Sequence, residues 1–198
     1  LKSMQRLSAV LFLLGASAVS DVSAEVAKIQ LGMSVPLTGN ASGIGQSYKN
    51  GVELAINQLN REGGVHGIQV QLVIKDDQYE PERTVQNTRQ FIQENKVLAL
   101  FAYVGTATSL AISPLLQHYQ IPYIAPFSGA SLLRQSEYNF IYHLRAGYEE
   151  ETQSQVDYLL LNPKTKVGLL LQADEFGASV EQGYLKALQL KGISPVIT

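Results

Sequence analysis

The feature that most constrains the fold is a regular alternation of two hydrophobic patterns along the chain after residue 24. Short apolar or alternating segments, typical of buried strands, are separated by segments whose apolar residues recur at helical spacing. The predicted strands are 27–35, 68–74, 97–102, 121–125, 140–144 and 167–171. The predicted helices are 48–59, 81–92, 107–119, 149–161 and 178–190. This order predicts an α/β fold with a doubly wound parallel sheet between two helical layers.

Composition excludes several classes of function. The chain has 198 residues, a formal net charge of −2 and no run of Lys or Arg, so nucleic acid is not expected as a partner. It contains 0 cysteines, which removes disulfides, thiolate metal sites, cysteine nucleophiles and a lipidated cysteine anchor. We therefore expect the function to rest on oxygen and nitrogen side chains.

The first 24 residues have the three parts of a secretory signal peptide. Lys2 and Arg6 give a basic start, and residues 7–18 form an apolar run too short for a membrane span. Val22-Ser23-Ala24 supplies the small residues of a cleavage site. A membrane anchor or a buried helix fits the length and position of this run less well. We predict cleavage after Ala24 and a periplasmic location.

A ligand is expected beyond the carboxyl ends of the strands, where the loops of a doubly wound sheet form a crevice. Six loops meet at that edge in the predicted topology, and they contain most of the unusual residues of the chain. These loops are 36–45, 76–80, 103–109, 126–131, 145–150 and 172–177.

The loop after the third predicted strand is the most informative of these. Tyr103 ends the strand, Gly105 turns the chain, and Thr106 opens a helix together with Thr108 and Ser109. Hydroxyl groups at a helix start either cap the helix or bind an anion, and the sequence alone leaves both alternatives open. The neighbouring loop is also polar and contains a glycine, which favours a small carboxylate pocket.

Signals of an enzyme are weak. The chain has no Gly-x-Ser-x-Gly and no P-loop, and Tyr48 stands where a dinucleotide-binding motif needs its third glycine. The three histidines lack metal-ligand spacing. Asp76-Asp77 is compatible with a metal or sugar site, or with a turn that caps the next helix. We expect no catalysis, no cofactor and no metal.

Several motifs together resemble the type I periplasmic binding proteins, and in particular the leucine/isoleucine/valine-binding group of ABC-transporter substrate-binding proteins. The resemblance extends from residue 25 to residue 198. The motifs that carry it are Gly51-Val52-Glu53-Leu54-Ala55-Ile56, Asn60-x-x-Gly63-Gly64-Val65-x-Gly67, Gly105-Thr106-x-Thr108, Ile121-Pro122-x-Ile124-x-Pro126, Arg145-Ala146 and Asp174-x-Phe176-Gly177.

The resemblance implies two α/β lobes that close on a ligand, with the ligand carboxylate held at Thr106 and its neighbouring N–H groups. Arg145 and Tyr148, at the crossover, are expected to be hinge or cleft residues. Two departures, Phe127 in place of a small residue and Gly129 in place of threonine, argue against leucine specificity. The ligand-binding residues expected on this basis are Ile44, Tyr103, Gly105, Thr106, Phe127, Ser128, Gly129, Tyr148 and Phe176.

The same resemblance implies a domain organisation and a role. Residues 25–142 form an amino-terminal ligand-binding lobe, and residues 143–198 form the crossover and an incomplete second lobe, so we expect this polypeptide alone to bind its ligand weakly or not at all. The implied function is that of a periplasmic solute-binding protein that delivers an amino acid or related small carboxylate to an ABC permease in the inner membrane. The alternative is the extracellular ligand-sensing domain of a receptor or signalling protein.

Overall fold

Five parallel strands form one sheet in the order β2-β1-β3-β4-β5. The computed structural model describes residues 28–162 and 164–196, and the predicted signal peptide lies outside the described residues. The strands are β1 (Lys28–Val35), β2 (Gln69–Asp76), β3 (Ala99–Phe101), β4 (Tyr123–Ile124) and β5 (Ile141–Tyr142). The helices are α1 (Ser42–Arg61), α2 (Pro81–Gln93), α3 (Thr106–Ala111), α4 (Ser113–Tyr119), α5 (Tyr148–Leu159) and α6 (Glu175–Leu190).

Helices cover both faces of the sheet. On one face, Met33 of β1 packs with Tyr48 and Val52 of α1. On the other face, Phe91 of α2 and Leu116 of α4 belong to a buried cluster around the strand residues, with further members at Leu100, Tyr103, Tyr123 and Ile141. Successive strand residues point to opposite faces, so each face receives its own apolar set. The predicted doubly wound, three-layer α/β/α arrangement is confirmed.

The predicted helix 107–119 is wrong as a single element. The structure has two short helices, α3 and α4, which meet at Ile112. Pro114 has no backbone N–H and cannot donate to the carbonyl of Leu110, which interrupts the helical hydrogen bonds at this point. Leu116 resumes the pattern by donating its N–H to the carbonyl of Ile112, at 3.1 Å.

After β5 the chain runs through residues 143–147 into α5, which packs along α6. A third buried cluster lies between these two helices and the segment before α6, with Val156, Val167, Ala187 and Leu188 at its centre. The predicted sixth strand, 167–171, is not a strand among the described residues. In the part of the chain that the structure describes, pairing in this segment is limited to a single β-bridge at Gly168 and a hydrogen bond from the N–H of Val196 to the carbonyl of Val167, at 2.8 Å. A strand needs a neighbour along its length, and the fully exposed Leu170 lies beyond this pairing. Within the described ranges, no helix is long and apolar enough to cross a membrane.

Candidate functional site

A cavity of about 850 Å³ lies at the carboxyl-terminal edge of the sheet. It is bordered on one side by the loops that follow the strands and on the other by α5, α6 and the segment between them. All six loops that the sequence predicted to meet at this edge contribute at least one lining residue. The prediction from parallel-sheet topology therefore locates the cavity correctly.

Six of the nine predicted ligand-binding residues border this cavity: Ile44, Gly105, Thr106, Phe127, Tyr148 and Phe176. The other three, Tyr103, Ser128 and Gly129, do not line it. Tyr103 is fully buried in the core, where its hydroxyl lies 3.0 Å from Thr88 Oγ1. Burial raises the pKa of Tyr103 well above its usual range, so this side chain is a neutral packing residue.

Thr106, which borders the cavity, and Ser128, which does not, form a buried pair of hydroxyl groups. The distance between Thr106 Oγ1 and Ser128 Oγ is 2.9 Å, and either oxygen can donate. Thr106 is the first residue of α3 and its side chain does not cap the helix, while Thr108 and Ser109 donate their hydroxyls to the carbonyls of Val104 and Gly105. The capping alternative is therefore not observed for Thr106, whose buried hydroxyl is paired with Ser128 instead.

Gly105 has a backbone conformation that only glycine adopts readily, with φ at 112° and ψ at 151°. A Cβ atom here would lie 2.7 Å from the Tyr79 ring and 2.6 Å from Thr108 Oγ1. The Tyr79 ring therefore lies directly against the glycine. This close approach explains why a glycine is required next to Thr106.

Two aspartates hold the turn that carries Tyr79. Gln78 and Tyr79 both have left-handed backbone conformations, with φ at 56° and 66°. Asp76 Oδ1 accepts the N–H of Gln78 at 3.0 Å, and Asp77 Oδ1 accepts the N–H of Tyr79 at 3.0 Å. Asp77 also accepts hydrogen bonds from Ser34 and Thr84. The two carboxylates therefore stabilise an unfavourable backbone conformation in the turn at the edge of the cavity.

The environments of the two aspartates shift their pKa values in opposite directions. Burial raises the pKa of Asp77, and the hydrogen bonds it accepts only partly oppose this effect. Burial also acts on Asp76, but hydrogen bonds from Thr38, Leu37 and Gln78 outweigh it and lower the pKa of that carboxyl. Among the described residues, no group of three or more His, Asp or Glu is arranged to hold a metal ion.

Tyr79 borders the cavity from the loop after β2. Burial, followed by the negative charge of Asp174, raises the pKa of the Tyr79 hydroxyl to about 12. Tyr79 is not among the ligand-binding residues predicted from the sequence, since nothing in the sequence shows that residues 78 and 79 adopt left-handed conformations. Its position directly after Asp76-Asp77, in one of the six predicted loops, is the signal that could have found it.

Gly129 shapes the cavity without bordering it. Its carbonyl accepts the N–H of Tyr148 at 2.7 Å, and a Cβ atom at residue 129 would lie 2.7 Å from the Tyr148 ring. The absence of a side chain thus lets Tyr148 approach the loop after β4. Arg134 supports the same region by donating to the carbonyls of Arg145 and Ala146, at 2.8 and 3.1 Å.

The chain matches a known protein family over most of its length. The sequence model of a family described as "Periplasmic binding protein" matches residues 28–198. The chain belongs to the periplasmic binding protein family.

Individual family members are similar to this chain over nearly its whole length. A Leu/Ile/Val-binding protein homolog 3 from Brucella melitensis is 25% identical over 98% of this chain and 52% of its own length. The crystal structure of a possible leucine/isoleucine/valine-binding protein from Rhodopirellula baltica is 32% identical, with a TM-score of 0.79, over 86% of this chain and 46% of that chain. A branched-chain amino acid ABC transporter protein from Thermus thermophilus, crystallised with bound valine, is 25% identical to this chain with a TM-score of 0.78. The match covers 86% of this chain and 45% of that chain.

This periplasmic binding protein chain spans about half the length of the curated relatives it matches. The relatives reported above are named for binding or transport, and none of the three is named as an enzyme.

Proposed function

We propose that this protein is the solute-binding subunit of an ABC importer and that it takes up an amino acid or related small carboxylate in the cavity described above. The observation that carries the proposal is the Thr106–Ser128 hydroxyl pair at the wall of this cavity. The branched-chain amino acid transporter protein with bound valine, at 25% identity, supports the same class of ligand. The partner is then a permease in the inner membrane.

The hydroxyl pair suits a carboxylate because Thr106 can donate a hydrogen bond to the ligand while its hydrogen bond with Ser128 remains in place. When Ser128 donates to Thr106, the Thr106 O–H is free to donate to a carboxylate oxygen. A hydrogen bond to a charged group contributes about 1.5–3 kcal/mol, which is roughly 10- to 100-fold in Kd. The proposed activity is binding without chemistry, with residues Ile44, Phe127, Tyr148 and Phe176 as the other walls.

We also propose the domain organisation and location that go with this role. Residues 25–142 form the first lobe, since β5 ends at Tyr142, and residues 143–198 form the crossover and the beginning of a second lobe. Residues 1–24 are the signal peptide that directs the protein to the periplasm. Ligand-induced approach of the two lobes needs contacts that form only in the closed state, and Tyr79, which borders the cavity from the loop after β2, is one candidate.

The proposal is tested by a binding screen with the purified protein. The panel contains the proteinogenic amino acids and short-chain carboxylic acids at millimolar concentration, with ligand-observed NMR as the assay because it detects weak binding. Binding by at least one acid is the expected result. A panel in which no acid binds contradicts the proposal.

A pair of matched variants then tests the role of Thr106. We expect Thr106→Val to weaken binding about 10- to 100-fold, through loss of the donor to the carboxylate. Thr88→Val is the control, because it removes an equally buried threonine hydroxyl in the core, next to Tyr103. Both variants are compared well below their melting temperatures. Equal affinity of Thr106→Val and Thr88→Val would rule out the assigned role.

A further inference from the structure

Two buried hydroxyl groups connect the core of the sheet to the loop that carries Thr106. Tyr123 in β4 and Ser109 in α3 are both 0% exposed, and neither borders the cavity. The Ser109 hydroxyl donates to the carbonyl of Gly105 at 2.6 Å, and the Tyr123 hydroxyl lies 2.8 Å from Ser109 Oγ. We call these two side chains, which end on the Gly105 carbonyl, the Tyr123–Ser109 relay.

The hydrogen bonds of the relay run in one direction. A serine hydroxyl has a single proton, and Ser109 gives its proton to Gly105, so Tyr123 is the donor to Ser109 Oγ. Tyr123 retains its own proton at neutral pH, because burial raises the pKa of its hydroxyl far above the usual value. Each hydrogen bond in such a series polarises the next, so Tyr123 strengthens the bond that holds the Gly105 carbonyl.

The Gly105 carbonyl sets the orientation of the peptide group that joins Gly105 to Thr106. The described part of the chain contains no cis peptide bond, so the C=O of Gly105 and the N–H of Thr106 point in opposite directions. A carbonyl held toward Ser109 therefore directs the N–H of Thr106 away from that buried hydroxyl. Glycine lacks a Cβ atom and restrains its own backbone little, so the relay supplies the restraint that Gly105 lacks.

We infer that Tyr123 and Ser109 are positioning residues of the binding site: through the Gly105 carbonyl, they fix Thr106 in the orientation that binding of a carboxylate requires. The inference rests on the proposed function and goes beyond it, because it assigns a role in binding to two side chains that do not border the cavity. A group that is already oriented loses little freedom when it binds. Loosening the peptide group before Thr106 therefore weakens binding, although Thr106 itself is unchanged.

The core contains a second arrangement of the same kind, which provides a matched control. Tyr103 Oη lies 3.0 Å from Thr88 Oγ1, which donates to the carbonyl of Thr84 at 2.7 Å. Tyr103 is also 0% exposed, and its ring centre lies 5.2 Å from that of Tyr123. This second arrangement ends on α2 instead of on the loop before Thr106. Tyr103→Phe and Tyr123→Phe thus remove the same atom from equally buried rings, and only Tyr123→Phe interrupts the relay.

The first measurement needs no ligand. NMR spectra of the purified, isotope-labelled protein report the carbonyl of Gly105 and the N–H of Thr106 as separate resonances. We expect Tyr123→Phe to shift both resonances and Tyr103→Phe to shift them much less. Both variants keep their aromatic rings, so the magnetic effect of the rings is matched. Equal shifts in the two variants, or no shift in Tyr123→Phe, contradict the inference.

The second measurement is a titration with acetate, the smallest carboxylate with a methyl group, followed at the Thr106 N–H resonance. We expect Tyr123→Phe to weaken acetate binding about three- to tenfold, as for the loss of one neutral hydrogen bond, and Tyr103→Phe to leave it unchanged. If the two variants bind acetate equally well, the inference is overturned while the proposed function stands. If acetate does not move the wild-type resonance, the inference is overturned and the screen above decides the proposed function.

A second variant tests the same relay at its other member, and it decides the matter alone if Tyr123→Phe does not fold. Ser109→Ala removes the hydroxyl that contacts Gly105 directly, so we expect it to weaken acetate binding at least as much as Tyr123→Phe does. In the double variant the two losses should not add, because Tyr123 acts only through Ser109. Additive losses, or wild-type affinity in a Ser109→Ala protein whose circular dichroism spectrum is that of the wild type, contradict the positioning role.

Discussion

Replacement of Gly105 by alanine is the most direct test of how the cavity wall is built. The backbone of Gly105 lies in a region that is almost exclusive to glycine, and occupying it with another residue costs about 1–3 kcal/mol. The new Cβ would also lie 2.7 Å from a carbon of the Tyr79 ring and 2.6 Å from Thr108 Oγ1, so at least one of them must move. Overpacking of this kind costs roughly 1–3 kcal/mol more. We therefore expect Gly105→Ala to lower the free energy of unfolding by about 2–6 kcal/mol.

The chain provides a matched control for this substitution. Gly51 lies in the middle of α1, and a Cβ atom there would have nothing within 4 Å. Alanine is favoured over glycine inside a helix by about 0.8–1 kcal/mol, so Gly51→Ala should stabilise the protein. Urea unfolding followed by far-ultraviolet circular dichroism measures both changes. A loss below about 1 kcal/mol in Gly105→Ala would refute the account of strain and close approach.

Two further predictions concern a buried carboxyl and a buried leucine. Because the folded state raises the pKa of Asp77, the contribution of this group to stability is complete below its unfolded pKa and is lost as the pH rises through the folded value. The unfolding free energy of the wild type should therefore fall relative to that of Asp77→Asn between pH 3.5 and pH 7, as urea titrations at several pH values would show; a gap that is constant or moves the other way contradicts this. Leu133 is 0% exposed and Leu132 is 43% exposed, so Leu133→Ala should cost about 2–5 kcal/mol and Leu132→Ala much less. Similar losses in the two variants, measured by thermal unfolding, would show that Leu133 is not the better-packed residue.

The sheet could be predicted because its information is local. The strand patterns at β1 and β2 and the glycine-containing turns between elements are visible in short stretches of sequence. The edge of the sheet that carries the cavity followed from topology, since parallel strands present their carboxyl ends together. The break at Pro114 was also a local signal, but the helical spacing on either side of it concealed the interruption.

The cavity walls could be predicted only in part, because they depend on contacts between distant residues. Tyr103 and Thr106 stand three positions apart, yet Tyr103 points into the core and Thr106 borders the cavity. Tyr79 borders the cavity because Asp76 and Asp77 hold its turn in a left-handed conformation. Arg145 borders it with its guanidinium 5.1 Å from the Phe127 ring centre and 5.2 Å from the Tyr148 ring centre. None of these relations is encoded in the spacing of residues.

The side-chain contacts around Arg145 also have a consequence for folding kinetics. The ring of Tyr48 in α1 lies against Phe127, the Arg145 guanidinium lies near both Phe127 and Tyr148, and Tyr148 contacts Phe176 of α6. These contacts are complete only after distant parts of the chain have met, and closing long loops costs entropy before such contacts form. A solute bound at this wall of the cavity should therefore act mainly by slowing unfolding, since it stabilises contacts that the folding transition state has not yet made.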